Sequence, residues 1–200
     1  IQAHTADKSV KVTAALQTST GELLESELSK KFKTIDEAKD LLLHIQKGAT
    51  LQVTEVSKKP GMRNPSAPFT TSTLQQEASS RLGYGVKQTM MLAQRLYENG
   101  HITYMRTDST ILSGQATRSF GTYIEKRFGA KYHRYRQYAT TNSSAQEAHE
   151  AIRPTHVTKT SAGDDDRQRK LYELIWKRAI ASQMAPAQVE KTEVTVAISD

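Results

Sequence analysis

The spacing of apolar and polar positions changes several times along this chain. From Val10 to Leu16, Val10, Val12, Ala14 and Leu16 alternate with Lys11, Thr13 and Ala15, the period of a half-buried strand. Thr20-Gly21 marks a turn, and Leu23 to Leu28 is expected to pair back as a hairpin. Thr34-x-x-Glu37 has the spacing of a capping box, in which side chains satisfy the unpaired N–H groups of a first helical turn. The helix it opens presents Ile35, Ala38, Leu42 and Ile45 on one stripe and closes near Lys47-Gly48. Leu51, Val53 and Val56 return to strand character, and the breaker-rich run from Lys58 to Pro65 reads as a linker.

The next stretch, from Pro68, reads as helix, turn, helix. Thr71 or Ser72 is the expected cap, Gly83 and Gly85 stop the first helix, and the second runs from about Val86 to Glu98. Its inward face is expected to be Val86, Met90, Ala93 and Tyr97. After Asn99-Gly100 comes a short β-prone segment, residues 101–109. Ser113 to Phe128 is a helix with Ala116, Phe120, Tyr123 and Ile124 inward, stopped by Gly129. Residues 131–143 are irregular. Ala145 to Arg153 is expected to be a short helix ended by Pro154. A long helix opens at Asp164-Asp165-Asp166, and Leu171, Tyr172, Leu174, Ile175, Trp176, Ala179 and Ile180 cover too wide an arc for a surface helix. It should be a central core helix, ended by Pro186 before a β pattern resumes.

This pattern predicts an α+β protein: a mainly helical, helix-turn-helix-containing, winged-helix-like domain over residues 63–187, inserted into a β-rich antiparallel domain made of residues 1–62 and a return strand at 188–200. The chain lacks an initiating methionine and stops within a strand pattern, so it is expected to be a piece of a longer polypeptide.

Composition narrows the chemistry. The net charge of +7 suits a polyanionic partner such as nucleic acid, although the same surplus occurs on proteins that are merely well solvated. With no cysteine there is no disulfide and no thiolate metal site. No apolar run approaches the roughly 20 residues needed to cross a bilayer, so a soluble, cytoplasmic protein is expected. Lys131, His133, Arg134 and Arg136 interleave with Tyr132, Tyr135 and Tyr138; bases could stack on these rings while the cations take phosphates, and a solvated basic loop fits equally.

His149-Glu150 lacks the second histidine of a zinc-protease helix, since Arg153 stands four residues on. The three aspartates stand where a helix N-terminus favours negative charge, so no metal ligand is expected in the chain. Tyr104 and Arg106 are harder to set aside. At strand spacing they point to the same side, and a guanidinium fork matches two phosphate oxygens. A phenol of pKa near 10 is only about one-thousandth ionised at neutral pH, so attack on a phosphodiester would need nearby positive charge or a base. Tyr-x-Arg also occurs in ordinary strands.

Four segments in order, Pro68–Gln76 (PFTTSTLQQ), Ile102–Ser109 (ITYMRTDS), Gln146–Pro154 (QEAHEAIRP) and Leu171–Trp176 (LYELIW), resemble the signatures of bacterial type IA DNA topoisomerases. The resemblance is strong from about Ser66 to Pro186, and the flanking β segments fit that family's arch region. It implies a protein that cleaves one DNA strand through a 5′-phosphotyrosine intermediate, passes another strand and religates, relaxing negative supercoils. Tyr104 would be the nucleophile and Arg106 the phosphate-stabilising cation. His149 would help position the scissile strand; Arg153, Lys87, Gln94 and Glu98 would support the site or contact DNA, and Asp108 would order the loop through side-chain to backbone bonds. The partners implied are DNA, especially single-stranded, and the remaining domains of the same polypeptide, at the bacterial nucleoid. The family's magnesium-binding Toprim domain has no match here, and Asp164 and Asp166 lack the strand that would precede it. Magnesium is therefore expected to serve the intact enzyme from a domain outside this chain, leaving the fragment inactive by itself. The competing reading is a non-catalytic winged-helix DNA-binding module with Tyr104 on its wing.

Overall fold

The computed structural model describes residues 9–138 and 150–199. The chain divides into two compact units, Ile1–Lys59 with Glu190–Asp200, and Pro60–Val189.

In the first unit, β1 (Thr13–Gln17) and β2 (Leu23–Glu27) form the antiparallel hairpin, with Leu16 opposite Leu24. Thr18 closes its turn by accepting the Glu22 N–H on its hydroxyl at 3.0 Å, and Gly21 supplies the positive φ of 88°. The strand expected from Val10 is shorter, because Val10 bridges to Phe32 instead. Thr34 caps α1 (Ile35–Gln46) by accepting the Glu37 N–H. Of the expected stripe only Ala38 is buried, while Ile35 and Leu42 are exposed. One helix and two two-stranded sheets offer these side chains little surface to pack against.

β3 (Thr50–Arg63) pairs with β4 (Ala187–Ser199). The expected linker at 58–65 is therefore largely strand. Pro60 and Gly61 are tolerated because both strands of a two-stranded sheet are edges, where a missing N–H can face away from the ladder.

The second unit packs α2 (Thr71–Leu82), α3 (Val86–Glu98) and α5 (Asp166–Ser182) against one another, with α4 (Gly114–Phe128) beside them. The cap of α2 is Thr70, one residue before the expected position: its hydroxyl accepts the Thr73 N–H, and the Thr73 side chain returns a bond to the Thr70 N–H. Gly83, left-handed at φ 68°, ends the helix. On α3 the inward residues are Thr89, Leu92, Ala93 and Leu96, while Val86 and Tyr97 are 60% and 40% exposed. The face is rotated from the expected one because Thr89 is buried, its hydroxyl bonded to the Gly85 carbonyl at 3.1 Å.

α4 buries Ala116, Phe120 and Ile124, as its pattern predicts. α5 is central, burying Leu171, Tyr172, Ile175, Ala179 and Ile180. Trp176 packs against both clusters of the core, and its indole N–H donates to the Val157 carbonyl at 2.8 Å. The acidic start of α5 serves its helix: Asp165 accepts the Gln168 N–H at 2.8 Å and Asp166 pairs with Arg169. Among the described residues no helix is long and apolar enough to cross a membrane.

The short helix expected over 145–153 is not formed at residues 150–153. Residues 150–154 are extended, with bridges Phe69 to Ile152 and Ile102 to Pro154. Their backbone groups bond to distant segments: the Ile152 N–H to the Phe69 carbonyl, and the Arg153 carbonyl to the Thr103 N–H. Residues 145–149, like 139–143, lie outside the described residues.

Candidate active site around Tyr104

Residues 101–109 are held between the start of α2 and the extended segment 150–155. They join neither sheet of the described residues, so the ladder that would make them a wing is not formed there. Exposure nevertheless alternates from 104 to 109: Tyr104, Arg106 and Asp108 face out, and Met105, Thr107 and Ser109 are buried. Tyr104 and Arg106 are therefore both exposed on either side of a buried Met105, where the chain bends at residues 105 and 106.

Several contacts fix this segment. Thr103 donates its N–H to the Arg153 carbonyl at 2.9 Å, and its hydroxyl donates to the Ala151 carbonyl at 2.7 Å. Thr155 donates its N–H to the His101 carbonyl at 3.0 Å. At the other end, the Thr71 N–H reaches the Thr107 carbonyl at 2.9 Å. Phe69, just before α2, is buried with the Arg178 guanidinium 4.5 Å from its ring centroid, and Arg178 also pairs with Glu77. The start of α2 is thus anchored to α5.

The Tyr104 ring is 36% exposed and lies edge-on to Tyr97, with centroids 5.3 Å apart and planes at 67°. On α3, Gln94 lies one turn before Tyr97 and Glu98 directly follows it, and the two are bonded to each other at 2.7 Å. Lys87 is exposed in the first turn of the same helix, about 15 Å from Tyr97 along the axis, so the structure does not bring it to the tyrosine. Asp108 is exposed, and the side-chain to backbone bonds expected of it are made by its neighbours. Thr107 accepts the Ser109 N–H at 3.0 Å, and Ser109 accepts the Ile111 N–H at 3.1 Å. His149 lies outside the described residues.

Arg153 is part-buried and engaged. Its guanidinium pairs with Glu150, with Nε to Oε2 at 2.9 Å, and donates to the Pro154 carbonyl at 3.1 Å. Glu150 also accepts the Ser113 N–H at 2.6 Å, tying this segment to the start of α4. Burial pushes the Glu150 carboxyl up, but the bonds from Ser113 and Arg153 and the arginine's charge outweigh it and hold it below the usual range. A depressed carboxylate contributes stability that is present above its unfolded pKa and lost as pH falls through the folded value. Acid unfolding below about pH 4.5 is therefore expected to be shallower in Glu150→Gln, measured as thermal midpoint against pH; parallel curves for the two proteins would contradict this.

Among the described residues no group of three or more His, Cys, Asp or Glu is placed to hold a metal. Asp165 and Asp166 are engaged as above and Asp164 accepts from Asn99, so these carboxylates do not fit a magnesium site.

Sequence spacing missed Thr71, Thr103, Tyr97 and Glu150. Thr71 reads as a cap and Tyr97 as core, and only the tertiary structure brings them to the segment.

Comparison with known proteins identifies the family to which this fold belongs. A family model described as DNA topoisomerase matches residues 1–200. The chain is 44% identical over 210 residues to DNA topoisomerase 1 of Escherichia coli, a match covering all of this chain and 24% of that protein. It is 54% identical to DNA topoisomerase 1 of Vibrio cholerae over 153 residues, covering 74% of this chain and 17% of that one. The solved structure of full-length topoisomerase I from Thermotoga maritima matches with a TM-score of 0.68 and 37% identity, over 96% of this chain and 34% of that one. The chain belongs to the bacterial DNA topoisomerase family and spans about a quarter or less of the length of these curated relatives.

Proposed function

We propose that this chain is the nucleophile-bearing part of a type IA DNA topoisomerase, working within a polypeptide of the relatives' length. The observation that carries this reading is an exposed tyrosine and an exposed arginine two residues apart on a tightly anchored, non-ladder segment, in a chain of this family. In the proposed step the Tyr104 oxygen attacks the phosphorus of one strand. The tyrosine–phosphate bond forms, the bond to the 3′ oxygen breaks, and the phenolic proton leaves as that oxygen becomes a 3′ hydroxyl. One ester replaces another, so the reverse step religates the strand after a second strand has passed.

Arg106 offers its fork to the two non-bridging oxygens, whose charge grows in the transition state. His149 and Arg153 would orient the strand, Arg153 through its pairing with Glu150. Gln94 and Glu98 would act through Tyr97, whereas Lys87 would contact DNA farther along α3. Residues 1–62 and 188–200 would be the arch portion and 63–187 the tyrosine domain. Magnesium would act from an acidic domain of the longer polypeptide, and no step is assigned to it here.

The test is covalent trapping. The intact protein, mixed with single-stranded DNA and quenched with denaturant, is expected to carry DNA on Tyr104. The 200-residue chain should bind single-stranded oligonucleotides weakly, less so as salt rises, and neither nick nor relax supercoiled DNA with or without magnesium. No adduct in the intact protein, or relaxation by the short chain, would refute this division of labour.

A further inference from the structure

The segment that carries Tyr104 and Arg106 lacks a sheet, and two threonine hydroxyls stand in for the missing ladder. Thr103 Oγ1 donates to the Ala151 carbonyl at 2.7 Å and accepts the Arg153 N–H at 3.0 Å. Thr71 Oγ1 donates to the Met105 carbonyl at 2.8 Å and accepts the Thr107 N–H at 2.8 Å. The second bridge is the more telling. The Met105 carbonyl belongs to the peptide group before Arg106 and the Thr107 N–H to the one after it. A single hydroxyl therefore restrains both backbone dihedrals of Arg106, and with them the direction in which its side chain leaves the chain.

Met105 and Thr107 are only 1% and 6% exposed, so water has little access to the two peptide groups. Capping of α2 does not occupy Thr71, because Thr70 performs it. Thr71 is itself fixed, since its own N–H bonds to the Thr107 carbonyl and the α2 start is pinned through Phe69 and Arg178. Only serine or threonine combines, at this size, one proton to give and a lone pair to receive.

We infer that Thr71 is a positioning residue for strand cleavage, its hydroxyl fixing the backbone on both sides of Arg106 and so the direction of the guanidinium relative to Tyr104. This rests on the cleavage reading above. The role is distinct from folding, because it acts on the orientation of one guanidinium, and misplacement by about 1 Å can cost about 100-fold in rate.

The test uses the intact protein, a single-stranded oligonucleotide and single-turnover cleavage. Thr71→Val, nearly the same shape without the hydroxyl, is expected to lower the cleavage rate about 10- to 100-fold with oligonucleotide affinity within about 3-fold of the unmodified protein. Thr71→Ser should cleave within about 3-fold of the unmodified rate. In an Arg106→Ala background the valine change should cost less than about 3-fold, because residues acting as a unit are non-additive. An unchanged rate in Thr71→Val, or the same loss with and without Arg106, overturns the inference. Thr71→Ser carries the test even if Thr71→Val does not fold: near-normal cleavage supports the hydroxyl, and a rate as low as that of Arg106→Ala overturns it. Failure of the unmodified protein to form any adduct would strike the cleavage reading itself.

Discussion

Tyr104→Phe in the intact protein is expected to abolish covalent attachment to DNA while leaving DNA binding in place. The substitution removes one oxygen, the atom that would form the phosphate ester, and keeps the ring that meets Tyr97 edge-on. Loss of a hydroxyl from a residue 36% exposed should cost no more than about 1.5 kcal/mol of stability. Loss of a nucleophile elsewhere costs on the order of 10⁶-fold in rate, which here means no detectable product. The measurement is a denaturing gel of protein mixed with 3′-end-labelled oligonucleotide, because the proposed linkage keeps the label on the 5′-phosphoryl side of the break. A labelled band in Tyr104→Phe, or peptide mapping of the adduct to another residue, would remove Tyr104 from the role. Loss of binding together with cleavage would make it a contact residue.

What could be read in advance depended on where each segment's partners lie. Helices α4 and α5 were legible because most of their inward residues are apolar at helical spacing, even though Thr117, Gln168 and Ser182 are buried with them. α3 misled because a threonine goes inside with its hydroxyl satisfied by the preceding turn, while a tyrosine stays outside to meet Tyr104. The segment 150–154 looked helical by composition, yet its backbone bonds go to Phe69 and Thr103, tens of residues away, which local spacing cannot anticipate. The same distinction holds at the site. The alternation that leaves Tyr104 and Arg106 exposed and Met105 buried was legible. That Thr71, more than thirty residues earlier, would hold the backbone on both sides of Arg106 was not, since a threonine before a helical pattern is read first as a cap.

Arg106→Ala is expected to leave the tyrosine in place and still cut cleavage by about 10²–10³-fold, the cost of about 2.7–4 kcal/mol seen when one charge-stabilising donor is removed from an active site. Arg106 is exposed two residues from Tyr104, so its guanidinium would meet the phosphate from solvent, and its value would lie in geometry as well as charge. Lysine tests which matters. Its ammonium keeps the charge but is a point donor on a flexible stem, so it cannot match two oxygens at once. Arg106→Lys should therefore recover only part of the loss, and the shortfall should appear in the cleavage rate rather than in oligonucleotide affinity. Binding at rising salt supplies the control, since alanine removes a cation that contacts one phosphate and should reduce the salt slope by about one, whereas lysine keeps the charge and should leave the slope unchanged. If lysine and arginine cleave equally well, the fork is not used and Arg106 contributes charge alone. If alanine cleaves as fast as arginine, the phosphate is held by other groups, and the nearness of Arg106 to Tyr104 carries no chemistry.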